Sequence, residues 1–140
     1  MKSSVYKKFI FVLILNSLIL PFFNFCWAKW QIETVYSAAS LGLYTSMALD
    51  ANNYPHISYY DSSNGDLKYA KWTGSSWQIE TVDSAGDVGS YTSIALDTNN
   101  YPHISYYDSS NGYLKYAKWT GSSWQIETVD SAGDVGSYTS

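Results

Sequence analysis

Apolar and polar positions change rhythm near residue 29. Before it, Phe9 to Leu20 is an apolar run interrupted only by Asn16 and Ser17. Beyond it, short segments rich in Tyr, Trp, Ile, Val and Thr are cut by Asp, Asn, Ser and Gly about every 8–12 positions, the spacing of strands and turns in all-β proteins. The segment 91–123 and its continuation predict four strands: Tyr91–Leu96, His103–Tyr107, Tyr113–Trp119 and Trp124–Val129. Between them lie the turns Asp97-Thr98-Asn99-Asn100-Tyr101-Pro102, Asp108-Ser109-Ser110-Asn111-Gly112 and Thr120-Gly121-Ser122-Ser123. The Asn111-Gly112 pair takes the positive φ angles of a hairpin readily. In the third strand Leu114 and Tyr116 lie on one face, Ala117 and Trp119 on the other. Both faces carry large apolar groups, as expected of a sheet covered on both sides.

The pattern repeats. Residues 30–76 and 77–123 are two copies of a 47-residue unit, identical at 39 of the 47 positions, and residues 124–140 match 77–93 throughout. A repeat of this length belongs to a propeller blade or a helical pair, and the strand composition excludes helices. The fold class expected is therefore all-β: four-stranded antiparallel propeller blades, about two and a third of them, incomplete unless the chain oligomerises or is a truncated piece of a larger propeller. Open terminal blades would expose apolar flanks, so self-association to complete the propeller is expected.

The first 28 residues are set apart by their order. Lys2, Lys7 and Lys8 precede the apolar run, and Phe22-Phe23-Asn24-Phe25-Cys26-Trp27-Ala28 follows Pro21. That is a secretory signal peptide with cleavage after Ala28, and it places the chain outside the cell or in a periplasm. The alternative, a retained membrane anchor, is opposed by Pro21, Asn16 and Asn24, which break the run. Cleavage removes the only cysteine, so the mature chain has no disulfide and must be held by packing. Lysines 29, 68, 71, 115 and 118 then face twelve acids, a net charge of −7. With no arginine in the chain, nucleic acid is excluded as a partner, because phosphate binding calls for clustered basic side chains.

The segment 52–82 and its second copy resemble extracellular bacterial β-propeller repeats of the sialidase-like, Asp-box-like group. The Asp-box itself is not met: Asp61-Ser62-Ser63-Asn64-Gly65-Asp66 keeps only an Asp and a later Gly. Sialidase chemistry relies on an arginine cluster, which this chain lacks. Ile57-Ser58-Tyr59-Tyr60, Asn64-Gly65, Leu67, Trp72, Gly74 and Trp77 are similar in spacing to the blades of small fucose-binding propeller lectins. Those lectins hold the sugar with an Arg and a Glu, where this chain has Ser58 and Tyr69 (Ser105 and Tyr116 in the second copy). The resemblance implies the scaffold without fucose specificity; in that family two-blade chains trimerise into a closed ring.

Candidate chemistry follows from exposed positions in each repeat. Tyr60, Trp72 and Trp77, with their copies Tyr107, Trp119 and Trp124, offer aromatic faces that stack on sugar rings or pack between blades. Asp83 and Asp87, with Asp130 and Asp134, offer carboxylates to calcium in Asp/Gly-rich loops, although the first copy has Tyr36 and Ser40 at these places. His56 and His103, one per repeat, read as hydrogen-bonded structural residues. No nucleophile–base set or distinctive carboxylate pair is present. The expected function is thus non-catalytic: a secreted repeat module binding a glycan or a cell-surface protein through several identical sites. The alternative is a structural fragment of a larger propeller, a glycoside hydrolase or adhesin whose functional residues lie elsewhere.

Overall fold

The computed structural model describes residues 31–37 and 41–138. The expected leader at 1–28, with Cys26 and Ala28, lies outside the described residues. All the strands among the described residues lie within the unit Glu33–Ser140. Among the described residues no helix is long and apolar enough to cross a membrane.

Among the described residues eight strands form two four-stranded antiparallel meanders. The first sheet runs in order β1 (Leu41–Leu49), β2 (Pro55–Asp61), β3 (Asp66–Trp72) and β4 (Trp77–Asp83). The second repeats it with β5 (Val88–Leu96), β6 (Pro102–Asp108), β7 (Tyr113–Trp119) and β8 (Trp124–Asp130). The all-β expectation and the strand-turn order hold. Turn chemistry explains the meander. Asp50 accepts the N–H groups of Asn52 and Tyr54 on one carboxylate oxygen, at 2.8 and 2.9 Å, while Asn53 takes φ 62°. Asp97 does the same for Asn99 and Tyr101, with Asn100 at φ 62°. Between β2 and β3, the Gly65 N–H donates to the Asp61 carbonyl at 2.8 Å and Asn64 Nδ2 donates to its carboxylate at 2.9 Å.

One expected boundary moves. The second sheet's first strand begins at Val88, three residues before the predicted Tyr91, and its pairing with β6 shifts register twice, between Val88 and Ser90 and between Ser90 and Ser93. These bulges break the two-residue rhythm on which the sequence reading depends. Gly89, at φ 109°, is required here: a Cβ would stand 2.8 Å from the Leu67 Cα, so only glycine lets β5 lie this close to β3.

The two sheets pack through β5, which crosses β1, β2 and β3. The core between them comprises Leu67, Tyr69 and Val82 from the first sheet and Val88, Ile94, Ile104, Tyr106 and Ala117 from the second. Near-identical strands therefore differ in part in what they bury, although Tyr59 and Asp61 are buried like their counterparts Tyr106 and Asp108. In β2 the residues His56 and Ser58 are fully buried beneath the second sheet. In β6 it is Ile104 and Tyr106 that are fully buried, against the first. Each sheet has one neighbouring sheet, and contact rather than sequence decides which face is covered.

A buried charge pair joins the sheets. Lys115 Nζ on β7 donates to Asp83 Oδ2 at 2.6 Å, and Tyr106 OH donates to the same oxygen at 2.7 Å. Asp83 is 5% exposed and Lys115 8%. Burial works to raise the Asp83 carboxyl, but Lys115, Tyr106 and the Ala85 N–H outweigh it and hold it below the usual carboxylate range. Truncating Asp83 to Ala leaves Lys115 buried and uncompensated, and is expected to cost about 3–5 kcal/mol. Urea unfolding of D83A measures this. The sign with pH follows from the lowered value: the contribution is complete above the unfolded-state pKa of about 3.9 and is lost as pH falls through the lower folded value. D83N flattens that acid limb.

Candidate functional site

A cleft of about 350 Å³ opens between the sheets at the end that carries the turns at 50–54 and 97–101. The first sheet supplies Asp50, Asn52, Tyr69, Lys71, Gln78 and Glu80 to one wall. The second supplies Asn99, Asn100, Tyr101, Pro102 and Trp119 to the other. Both walls mix polar and aromatic groups: Tyr69 stands with the carboxylates, amides and ammonium of the first, and Asn99 and Asn100 stand with Tyr101 and Trp119 on the second. Each wall is rigid for a local reason. Asp50 and Asp97 tie their turns through backbone N–H groups, chiefly those of Tyr54 and Tyr101, and these bonds hold both carboxyls below their usual range.

Behind the first wall stands a buried polar relay. His56 Nδ1 meets Tyr69 OH at 2.5 Å, and its Nε2 lies 3.7 Å from Asp50 Oδ2, beyond hydrogen-bond reach. The nearby carboxylate favours the tautomer with the proton on Nε2, so Tyr69 OH donates to Nδ1. Burial above all, with Lys71 adding to it and Asp50 opposing, lowers the His56 pKa. Burial, then the charges of Glu80 and Asp50, raise the Tyr69 phenol. The second repeat carries the same relay, His103 Nδ1 to Tyr116 OH at 2.5 Å and Nε2 to Asp97 at 3.8 Å. The histidine–tyrosine bond, with the turn carboxylate close to the other ring nitrogen, recurs in both sheets.

The aromatic residues singled out in the sequence fall into different places. Trp72 and Trp77 are cross-strand partners on β3 and β4, with ring centroids 5.5 Å apart, and Trp119 and Trp124 repeat the pair at 5.6 Å. Of these, Trp119 lines the cleft. Trp124 is a peg between sheets: its ring meets Tyr69 edge-on at 5.3 Å and its Nε1 donates to Glu80 at 3.1 Å. Trp77 Nε1 donates to Glu33 at 3.2 Å in the same manner. Tyr60 and Tyr107 lie away from the cleft and donate to Asp87 and Asp134. The bond to Asp87, above all, pushes the Tyr60 phenol up to about 12.

The loop carboxylates do not gather. Asp83 is taken by Lys115 and Tyr106, while Asp130 is exposed and accepts the Ala132 N–H at 2.9 Å. Among the described residues no group of three or more His, Cys, Asp or Glu side chains is arranged to hold a metal ion. The calcium expectation finds no donor cluster in these four residues.

One feature went unread in the sequence. Tyr44, Tyr91 and Tyr138 form a column with centroids 4.6 and 4.7 Å apart, and all three take positive φ, at 50°, 53° and 64°. Tyr44, above all, pushes the Tyr91 phenol up to about 12. The signal present was a recurring Gly-x-Tyr: Gly42 to Tyr44, Gly89 to Tyr91, Gly136 to Tyr138. No protein-family profile matches the chain, and no curated protein matches it.

His56 yields a pH prediction. An unfolded histidine takes up its proton near pH about 6.5, whereas folded His56 does so only at lower pH. Stability therefore declines as pH falls from about 6.5 toward the folded value. H56Q is expected to remove that part of the slope, read from urea midpoints across the window.

Proposed function

We propose that the chain is an exported β-propeller repeat module that binds a saccharide, without catalysis, in the cleft between successive blades. The observation that carries the reading is the cleft itself. Trp119 and Tyr101 line it from one sheet and Gln78, Glu80 and Lys71 from the other; the Gln78 amide and the Glu80 oxygen not taken by Trp124 suit sugar hydroxyls. A sugar ring has both an apolar C–H face and a polar rim, and a preformed site with a few fixed polar groups and aromatic walls matches the two together. Lys71 adds one cation, so uronic or otherwise acidic sugars are accommodated beside neutral ones.

The blade arrangement draws support from contacts that recur one repeat apart. Val88 N–H donates to the Gly65 carbonyl at 2.9 Å, and Val135 N–H donates to that of Gly112 at 2.9 Å. Glu33 takes Trp77 as Glu80 takes Trp124. The same relation thus links each element to the next, which is how blades follow one another in a propeller. A cleft at each junction gives a multivalent surface, and weak single sites then bind through avidity.

Binding to an array of neutral and acidic glycans, followed by calorimetry on the best ligand, tests the reading. W119A and Q78A are each expected to weaken binding about tenfold or more, near 1.4 kcal/mol, with the unfolding midpoint kept as a check on the fold. A wild-type chain that binds no glycan on the array overturns it.

A further inference from the structure

We propose that a second copy of this chain docks on the outer face of the first sheet, with the Asp130 carboxylate of that copy taking Lys68 and Tyr59 as its partners. Such docking is independent of what the cleft binds.

The charge pair that joins the two sheets within one chain supplies the pattern. There Asp83, at the end of β4, receives Lys115 Nζ and Tyr106 OH on a single oxygen. One repeat earlier the matching residues are Tyr36, Lys68 and Tyr59. The lysine and tyrosine are kept, but the carboxylate is replaced. Tyr59 OH is buried and has no hydrogen-bond partner among the described residues. Lys68 Nζ turns aside to Thr81 Oγ1, at 2.6 Å. Beside them is a cavity of about 210 Å³ lined by Val35, Tyr36, Gly42, Thr45, Ile57 and Tyr59. A buried phenol without a partner is destabilising, so this face is short of one acceptor.

One repeat later the surplus is reversed. Asp130 sits at the end of β8 in the same turn as Asp83: it accepts the Ala132 N–H at 2.9 Å, as Asp83 accepts that of Ala85 at 3.0 Å. It is exposed and forms no ion pair among the described residues. The chain thus carries a carboxylate lacking its lysine on one outer face and a lysine–tyrosine pair lacking its carboxylate on the other.

Apolar side chains match in the same way. Ile94 and Val82 are core residues, 9% and 7% exposed, and their counterparts on the outer faces are Met47, 62% exposed, and Val129, 59% exposed. Met47 belongs to the first sheet's outer face and Val129 to the second's. Docking one against the other rebuilds the interface already present between the sheets. A head-to-tail contact of this kind joins two different surfaces, and it closes into a ring or runs on according to the rotation.

Docking has a displacement built into it. Residues 33–37 occupy on the first sheet the place that β4 holds on the second, as the Glu33–Trp77 bond records. They yield to β8 of the incoming copy, whose Glu127 replaces Glu33 on Trp77 and whose Asp130 replaces Tyr36. Residues 134–138 lie on the second sheet as 87–91 lie on the first, and they yield to β1 of the incoming copy. Equivalent bonds are exchanged at both places, and the ion triad is the net gain.

The test is light scattering on the full chain over a range of concentrations, with circular dichroism to check folding. The wild type is expected to self-associate. D130K and K68E each remain monomeric, because each sets like charges against one another. Mixed in equal amounts they associate again. The lysine introduced in one variant meets the glutamate introduced in the other, while the second contact pairs the native Asp130 with the native Lys68. Y59F keeps the fold and weakens association about tenfold, the effect of losing a hydrogen bond to a charged acceptor. A wild-type chain that stays monomeric throughout overturns the proposal, as does association of the charge variants at wild-type strength or a mixture that fails to recover. Should K68E not fold, D130K and Y59F decide the matter alone.

Discussion

Asp83 is a carboxylate taken out of water at the junction of two sheets, and such a group persists only where cation and hydrogen-bond donors meet it in good geometry. Lys115 and Tyr106 meet it on one oxygen, from two strands of the neighbouring sheet. That requirement fixes how β4 lies against β6 and β7, and it sets the distance at which the rest of the interface must work. Thr92 reaches Ser58 at 2.9 Å, and the Ile94 N–H reaches Ser46 Oγ at 3.2 Å, within the same spacing. Hydrophobic burial supplies most of the driving force between the sheets but little orientation, since it is not directional. The polar triad supplies the orientation.

Repetition gives this junction a second meaning. In a chain of near-identical units, any residue that binds the next unit has a counterpart facing the same way in its own repeat, whether or not a neighbouring unit is present there. Burial of a given side chain is then a property of the interface and not of the repeat. Ile104 is fully buried while Ile57 is not, and His56 is fully buried while His103 is partly open. One of the eight positions at which the two full repeats differ is 36/83, where the first repeat has tyrosine in place of aspartate and the triad is broken. A single exchange therefore separates a satisfied interface from an unsatisfied one.

Much of the fold was legible because strands and turns are local. Asn-Gly hairpins, Asp-led turns and alternating aromatic segments located strands whose ends agree closely with β6, β7 and β8. What escaped were features made by contact between repeats. The start of β5 is bulged around Gly89 and Tyr91, so alternation fails there. Lys115 is charged and reads as a solvent residue, yet it is buried because Asp83 faces it from another sheet. The tryptophans were legible as a set but not as individuals: Trp119 opens on the cleft, whereas Trp124 is packed against the core and tied to Glu80. The cleft had no linear signature, since its walls come from segments one repeat apart.

The same geometry explains why a site of this kind belongs to pairs of sheets. Asp50, Gln78 and Glu80 stand on one sheet, Tyr101 and Trp119 on the next, and neither group alone encloses the cleft. Equivalent residues exist in both repeats, but the two walls face each other only where two sheets meet. Whatever strengthens the interface therefore also shapes the cleft. Glu80 carries this coupling directly: it lines the cleft and also accepts the indole N–H of Trp124, so a residue of the cleft wall is positioned by the contact that holds the sheets together.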